Sequence, residues 1–126
     1  MGSKGDATHM NKQEYKSYLQ SEYWKEFTKQ ARIIFGYKCW FCGNNGELHL
    51  HHTRYYKKTF YSTRKVKNNL RWFLLICRNC HKNIHKLAKT ENLEIYKATR
   101  EFRNRFYPKK KMWMSKKQAK GNLDNA

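Results

Sequence analysis

The chain has 126 residues, which is enough for one domain and too few for two well-formed ones. Lys and Arg number 28 against 9 Asp and Glu, so the formal net charge is +19, and this excess favours a polyanionic partner over a merely soluble basic surface. The sequence has no apolar run of about 20 residues and no secretory signal pattern, so we expect nucleic acid, and not a membrane, to be that partner.

Both ends of the chain are expected to lie outside the folded domain. The first ten residues, MGSKGDATHM, have the character of an expression scar with the natural start at Met10, so His9 is not counted as a ligand. Residues 108–126 are polar and basic, which predicts a disordered tail apart from a docked Trp113. One domain is therefore predicted over residues 11–107.

The N-terminal part of that domain is predicted to be helical. Residues 11–36 carry apolar side chains at helical spacing after Ser21, which is of a residue type that caps helix N-termini. Gly36 stands where a C-cap glycine is expected. The residues before Ser21 are expected to form an earlier helical turn.

Alternating apolar and polar residues at 47–52 predict a first strand. Because side chains alternate between the faces of a strand, Leu48 and Leu50 are expected to face inward. By the same rule His49 and His51 are expected to face outward.

The second half of the domain is predicted to contain one strand and two helices. Residues 70–76 are mostly apolar and prone to β-structure, whereas 55–67 lack periodicity and are interpreted as a loop. Apolar positions at helical spacing predict helices over 81–88 and 93–106, and Pro108 is expected to end the second of them.

Two C-x₂-C pairs, separated by 34 residues in the chain, are formed by Cys39, Cys42, Cys77 and Cys80. Each pair can present two thiolates to one tetrahedral zinc ion from a tight turn. Disulfides are typical of secreted proteins, and a thioredoxin-like redox site needs only one such pair inside a βαβ unit. Structural zinc is favoured over these two alternatives.

Five histidines, His49, His51, His52, His81 and His85, accompany the cysteines. His81 and His85 are four residues apart on a predicted helix, so they share a face and can bind one divalent cation together. His51 could complete a site of three imidazoles, with His52 beside it to accept a proton from water. The alternative is that these side chains are additional zinc ligands or surface groups, but their clustering near both cysteine pairs favours a function.

These motifs together resemble the HNH, or ββα-metal, nucleases in the version with two zinc-binding C-x₂-C pairs. The resemblance covers about residues 18–86, and its most selective parts are the first C-x₂-C pair before an L-x-L-H-H strand and the later C-x₂-C-H-x₃-H run. It implies an α+β fold, a small zinc-stapled ββα-metal domain with flanking N- and C-terminal helices.

The resemblance also implies an activity and its residues. His52 matches the general base, while His51, His81 and His85 match ligands of a catalytic ion, Mg²⁺ or another divalent metal. The expected reaction is hydrolysis of DNA phosphodiester bonds. Small domains of this design are common in phages and mobile elements, so the cytoplasm of a bacterium or a phage-infected cell is the expected location.

The sequence departs from the family pattern at the middle Asn. That residue precedes the helix histidine by about nine positions, where this chain has Trp72. Asn68 or Asn69 takes the role if the second strand contains a small insertion, and Asn69 is our candidate. Without such an insertion the role is absent, which favours an alternative function as a non-catalytic zinc module that binds DNA or a protein partner in a regulatory role.

Basic side chains near the proposed site are expected to contact DNA phosphates without reading the base sequence. The candidates in the loop after the first strand and on the following helix are Arg54, Lys57, Lys58, Arg64, Lys65, Lys82 and Lys86.

Overall fold

The computed structural model describes residues 11–53 and 70–126 and has an α+β architecture. A two-stranded antiparallel sheet is surrounded by five helices in these residues. The elements in chain order are α1 (Lys12–Leu19), α2 (Glu22–Ile34), β1 (Leu48–His52), β2 (Phe73–Cys77), α3 (Arg78–Thr90), α4 (Ile95–Phe106) and α5 (Lys116–Asp124).

Side-chain caps divide the predicted N-terminal helix into α1 and α2. Asn11 and Glu14 form a reciprocal capping box at the start of α1. Ser21 caps α2, because its hydroxyl accepts a hydrogen bond from the backbone N–H of Trp24 at 3.1 Å. The prediction of Ser21 as an N-cap is confirmed, and the earlier turn is a helix of two turns.

The predicted glycine C-cap of α2 is confirmed. Gly36 has a φ of +67°, a left-handed conformation that glycine adopts without a Cβ penalty. The backbone N–H of Tyr37 donates to the carbonyl of Arg32 at 2.9 Å, and that of Gly36 donates to Ile33 at 3.0 Å. This pair of bonds is a Schellman motif, and it turns the chain toward the first cysteine pair.

The register of the sheet separates its side chains into two faces. His52 pairs with Phe73 and Leu50 with Leu75, so these side chains share one face. His51 pairs with Leu74, and the face of this pair also carries His49 and Ile76. The second strand begins at residue 73 and ends at 77, later than the predicted range of 70–76.

Helices cover both faces of the sheet. Helix α2 packs on the first face, where the rings of Phe27 and Phe73 are 4.5 Å apart. Helix α3 packs on the second face and α4 packs on α3, and Leu74 and Ile76 are completely buried. The expectation that His51 faces outward is therefore wrong. Its side chain lies on the face opposite Leu50, as expected, but it is 0% exposed.

Residues 108–126, expected to be disordered, instead fold onto the domain. Ser115 caps α5 through the backbone N–H of Gln118, and Met114 and Ala119 are buried in the common core. Asn122 donates a hydrogen bond of 2.6 Å to the carbonyl of Ile34 at the end of α2. The prediction from polar composition is wrong because a short amphipathic helix needs only a few apolar positions to pack on a core.

The predicted docking of Trp113 agrees with the structure, in which its side chain packs against the core and lies 5.7 Å from the ring of Tyr96. Nearby, the indole of Trp40 donates a hydrogen bond of 3.0 Å to the carbonyl of Lys111.

The loop predicted over 55–67 lies outside the described residues. None of the helices in 11–53 and 70–126 is long and apolar enough to cross a membrane.

Candidate metal centres

The four cysteines meet in one cluster. Their sulfur atoms all lie within 4.8 Å of one another, although Cys39 and Cys42 are more than 30 residues from the second pair in the chain. The Sγ atoms of Cys42 and Cys77 are 3.6 Å apart. A tetrahedron with Zn–S bonds of about 2.3 Å has an edge of about 3.8 Å, so the cluster can hold a metal ion such as zinc.

All four cysteines are free thiols, and backbone N–H groups donate hydrogen bonds to two of their sulfur atoms. The N–H of Cys42 donates to the sulfur of Cys39, and that of Cys80 donates to Cys77, both at 3.4 Å. A hydrogen bond from the Cys80 thiol lowers the pKa of Cys39, while the same bond and burial raise the pKa of Cys80. A first thiolate is therefore stabilised within the cluster before any cation binds.

The second cluster consists of three histidines from two elements. Ring nitrogens of His51, His81 and His85 lie within 4.8 Å of one another, and the Nε2 atoms of His81 and His85 are 3.1 Å apart. His51 comes from the buried end of β1, whereas the other two lie one turn apart on α3. The structure thus brings together the three imidazoles that the sequence indicated as ligands of one cation.

Thr99 determines which nitrogen of His51 faces this cluster. The Thr99 hydroxyl donates to the carbonyl of Ile95 at 2.7 Å, so it can only accept from Nε2 of His51 at 2.9 Å. A neutral His51 consequently carries its proton on Nε2 and its lone pair on Nδ1. This Nδ1 is buried and has no hydrogen-bond partner among the described residues, which fits a metal ligand.

Sequence analysis did not identify Thr99. It lies on α4, outside the stretch that resembles HNH nucleases, and a threonine at a helical position carries no signal of a role in a distant site. The spacing of three or four residues between the apolar positions of α4 predicts only that this face is buried.

Burial keeps the imidazoles of the cluster neutral. Burial, reinforced by the charges of His81 and His85, holds the pKa of His51 well below its ordinary value. Burial and the charge of His85 lower the pKa of His81 to about 4, and burial also lowers the pKa of His85. At neutral pH the lone pairs of these rings are free of protons, which is the form that binds a cation.

His52 does not lie beside this cluster. Its side chain extends from the opposite face of the sheet, is 3% exposed, and stacks on the ring of Trp24 at 5.1 Å. The Nδ1 atom of His52 is 3.4 Å from the hydroxyl of Tyr15, and burial lowers the pKa of His52 to about 3. The expected position next to the ion is wrong because neighbouring residues of β1 point to opposite faces.

Most of the expected DNA-contacting residues and the candidate Asn69 lie outside the described residues. This group consists of Arg54, Lys57, Lys58, Arg64, Lys65 and Asn69. Lys82 and Lys86 are exposed on α3, where Lys82 follows His81 and Lys86 lines a cleft beside the cysteine cluster. Trp72 is half-buried against the core, and its carbonyl accepts a hydrogen bond from the N–H of Thr53.

No family model, curated protein or solved structure matches the chain. The resemblance to HNH nucleases therefore stays a prediction from the motif residues alone.

Proposed function

We propose that this chain is a metal-dependent nuclease of the HNH type, which hydrolyses phosphodiester bonds of DNA and is braced by a structural zinc ion. The observation that carries the proposal is the convergence of three neutral imidazoles, His51, His81 and His85, at one end of the sheet. The order of two antiparallel strands followed by a helix is the arrangement that the family resemblance implies.

The donor atoms of the histidine cluster indicate the class of ion. Three imidazole nitrogens suit first-row transition ions, whereas Mg²⁺ prefers oxygen ligands and retains several waters. Within the expected range of Mg²⁺ or another divalent metal, Mn²⁺, Co²⁺, Ni²⁺ or Zn²⁺ is therefore a better candidate than Mg²⁺. A divalent ion bound there supplies positive charge for the developing phosphorane and lowers the pKa of water.

The chain's own residues would hold the reacting groups around such an ion. His81 and His85 face outward enough to leave part of the cluster accessible, since His85 is exposed and His81 half-buried. Lys82 follows His81 on α3 and can contact a phosphate next to the scissile bond. The net charge of +19 gives DNA a strong electrostatic attraction to the rest of the surface.

His52, the expected general base, lies away from the proposed ion. Its ring lies in an aromatic pocket with Tyr15, Trp24 and Phe73, on the face of the sheet opposite the cluster. To act as a general base, the His52 side chain would have to move out of this pocket. The substitution His52→Phe preserves the ring packing and removes the basic nitrogens, so it tests catalysis with little effect on folding.

The buried position of His52, together with Trp72 in place of the family Asn, favours the alternative of a non-catalytic zinc module. In that case the chain binds DNA or a protein partner without cleaving it. Both functions share the cysteine cluster and the basic surface, so only an assay of cleavage separates them.

The decisive experiment is plasmid nicking by zinc-loaded protein with added Mg²⁺, Mn²⁺, Co²⁺ or Ni²⁺. We expect cleavage by the parent with a transition ion and a loss of at least about 100-fold in His85→Asn, which removes one exposed ligand. Gel shifts at increasing salt serve as the binding control, and they should be unchanged in this variant. Salt-sensitive binding without cleavage under any ion would overturn the nuclease and support the binding module.

A further inference from the structure

His49 is a second histidine on the cluster face of β1 that neither the expected ligand set nor the expected base includes. Its Nδ1 lies 2.9 Å from Nδ1 of His81, and the two rings meet edge to face with centroids 5.0 Å apart. Its Nε2 lies 2.7 Å from a carboxylate oxygen of Glu47. His49 therefore stands between an acidic side chain and one of the proposed metal ligands.

The Glu47 carboxylate fixes one proton of His49, and the neutral form of that ring determines where the next proton lies. A carboxylate only accepts hydrogen bonds, so Nε2 of His49 must carry a proton and donate it to Glu47. A neutral His49 then has its lone pair on Nδ1, and the hydrogen bond to His81 requires the proton to be on Nδ1 of His81. The lone pair of His81 is consequently on Nε2, which is the atom that lies 3.1 Å from Nε2 of His85.

We propose that Glu47 and His49 form a positioning relay that holds His81 with its Nε2 lone pair directed into the histidine cluster. The relay rests on the metal centre proposed above and adds two residues that orient a ligand without contacting the ion. Metal-bound histidines usually donate their other N–H to a carboxylate or carbonyl, which fixes the ring and makes it a better ligand. In this chain a second imidazole is inserted between the ligand and the carboxylate.

The alternation of β1 explains how the relay forms. Glu47 precedes the strand, and His49 and His51 are two residues apart, so both imidazoles reach the face that α3 covers. The ring of His81 lies 5.0 Å from that of His49 and 5.1 Å from that of His51. His81 is thus in contact with two rings of the same strand.

The test uses two substitutions at one position. His49→Phe keeps an aromatic ring in the strand and removes both nitrogens, whereas His49→Asn keeps a carbonyl oxygen near the position of Nδ1 that can accept from His81. Long-range proton–nitrogen NMR spectra of the imidazoles, recorded with zinc at the thiols and no ion at the histidines, identify the protonated nitrogen of His81. We expect the Nδ1–H form in the parent and in His49→Asn, and a mixture of both forms in His49→Phe.

Titration with Co²⁺ provides the second measurement. Co²⁺ absorbs visible light when bound to imidazole, and the absence of a thiolate charge-transfer band shows that it has not displaced zinc from the cysteines. We expect His49→Phe to weaken Co²⁺ binding by roughly 10- to 100-fold and His49→Asn to recover most of that loss.

The outcomes separate the relay from the metal centre on which it rests. If the parent binds no Co²⁺ at the histidines, the proposed metal centre is overturned, and the NMR spectra still decide the relay because they need no ion there. If the parent binds Co²⁺ but His49→Phe leaves both the affinity and the His81 proton unchanged, the relay is overturned and the metal centre stands.

Discussion

The hydroxyl of Thr99 and Nε2 of His51 are 2.9 Å apart, in a buried contact that joins residues 48 positions apart in the chain. This hydrogen bond connects helix α4 to β1, the strand that carries one of the proposed ligands. It fixes the tautomer of His51, because the only proton of the hydroxyl is already donated to the carbonyl of Ile95. Thr99, which lies outside the motif, thereby orients His51, a proposed ligand inside it.

Thr99→Val should weaken metal binding at the histidines by roughly 10- to 100-fold. Valine has nearly the same shape but leaves Nε2 of His51 without an acceptor in a buried site, so the ring no longer has one favoured tautomer. Thr99→Ser retains the hydroxyl and should bind nearly as well as the parent. Co²⁺ titration of the zinc-loaded proteins measures both, and equal affinities for parent and Thr99→Val would contradict this role.

Removal of metal from the thiols should destabilise the whole domain. An ion present at about 1,000 times its dissociation constant contributes about 4 kcal/mol to the unfolding free energy. For a chain of this size that corresponds to a fall in Tm of at least roughly 10 °C on chelation or in Cys80→Ser. Thermal unfolding followed by circular dichroism measures the shift.

The control for this experiment is His85→Asn, which alters the histidine cluster and leaves all four thiols in place. Its Tm should fall on chelation by the same amount as that of the parent. A chelated parent that melts at its original temperature would show that the cysteine cluster holds no stabilising ion.

The stability of the fold should fall as the pH decreases below about 6.5. Burial lowers the pKa of His52 from its ordinary value of 6.5 to about 3, so between these values the unfolded chain binds a proton that the folded chain does not. Each such imidazole contributes a slope of about 1.4 kcal/mol per pH unit, with lower stability at lower pH.

His52→Phe removes this contribution and keeps the ring in its aromatic pocket. Urea unfolding of both proteins between pH 7 and pH 5 should therefore show a shallower decline of the unfolding free energy in the variant. Parallel declines would indicate that His52 is accessible to protons in the folded state, as a general base must be.

The C-terminal segment should contribute to stability through Met114. This side chain is 5% exposed in the common core, so Met114→Ala should lower the unfolding free energy by about 2 kcal/mol or more. Lys117→Ala, at an exposed position of α5, should change it by less than about 0.5 kcal/mol. If neither substitution changes the unfolding free energy, the C-terminal segment does not pack on the domain, as was first expected.

The sequence was informative where local chemistry decides the outcome. The caps at Ser21 and Gly36, the two strands and the helix that carries His81 follow from residue type and periodicity, and their positions in the fold confirm them. The convergence of the cysteine pairs also follows from the sequence, because two C-x₂-C turns together supply the four thiolates of one tetrahedral site.

Other features depend on tertiary contacts that periodicity does not encode. Alternation in β1 predicts that His51 and His52 point to opposite faces, but it does not predict that helices bury both. Residues 108–126 are too polar in composition to predict α5, although Ser115 followed by Gln118 is a recognisable capping pattern. The contact of Thr99 with His51 requires the packing of α4 on α3 and has no local signal.

Cys80 and His81 are consecutive residues in the first turn of α3, so the two clusters share one short piece of backbone. An ion held by the thiols fixes this turn, and the conformational entropy of placing His81 and His85 is then already lost before a second ion binds. Linkage makes the effect reciprocal, because an ion at the imidazoles must strengthen retention of the one at the thiols by the same factor. We therefore expect the histidine cluster to bind its cation more weakly when the thiols hold no zinc. Loss of zinc from the thiols would then lower occupancy of the histidine cluster although none of its ligands has changed.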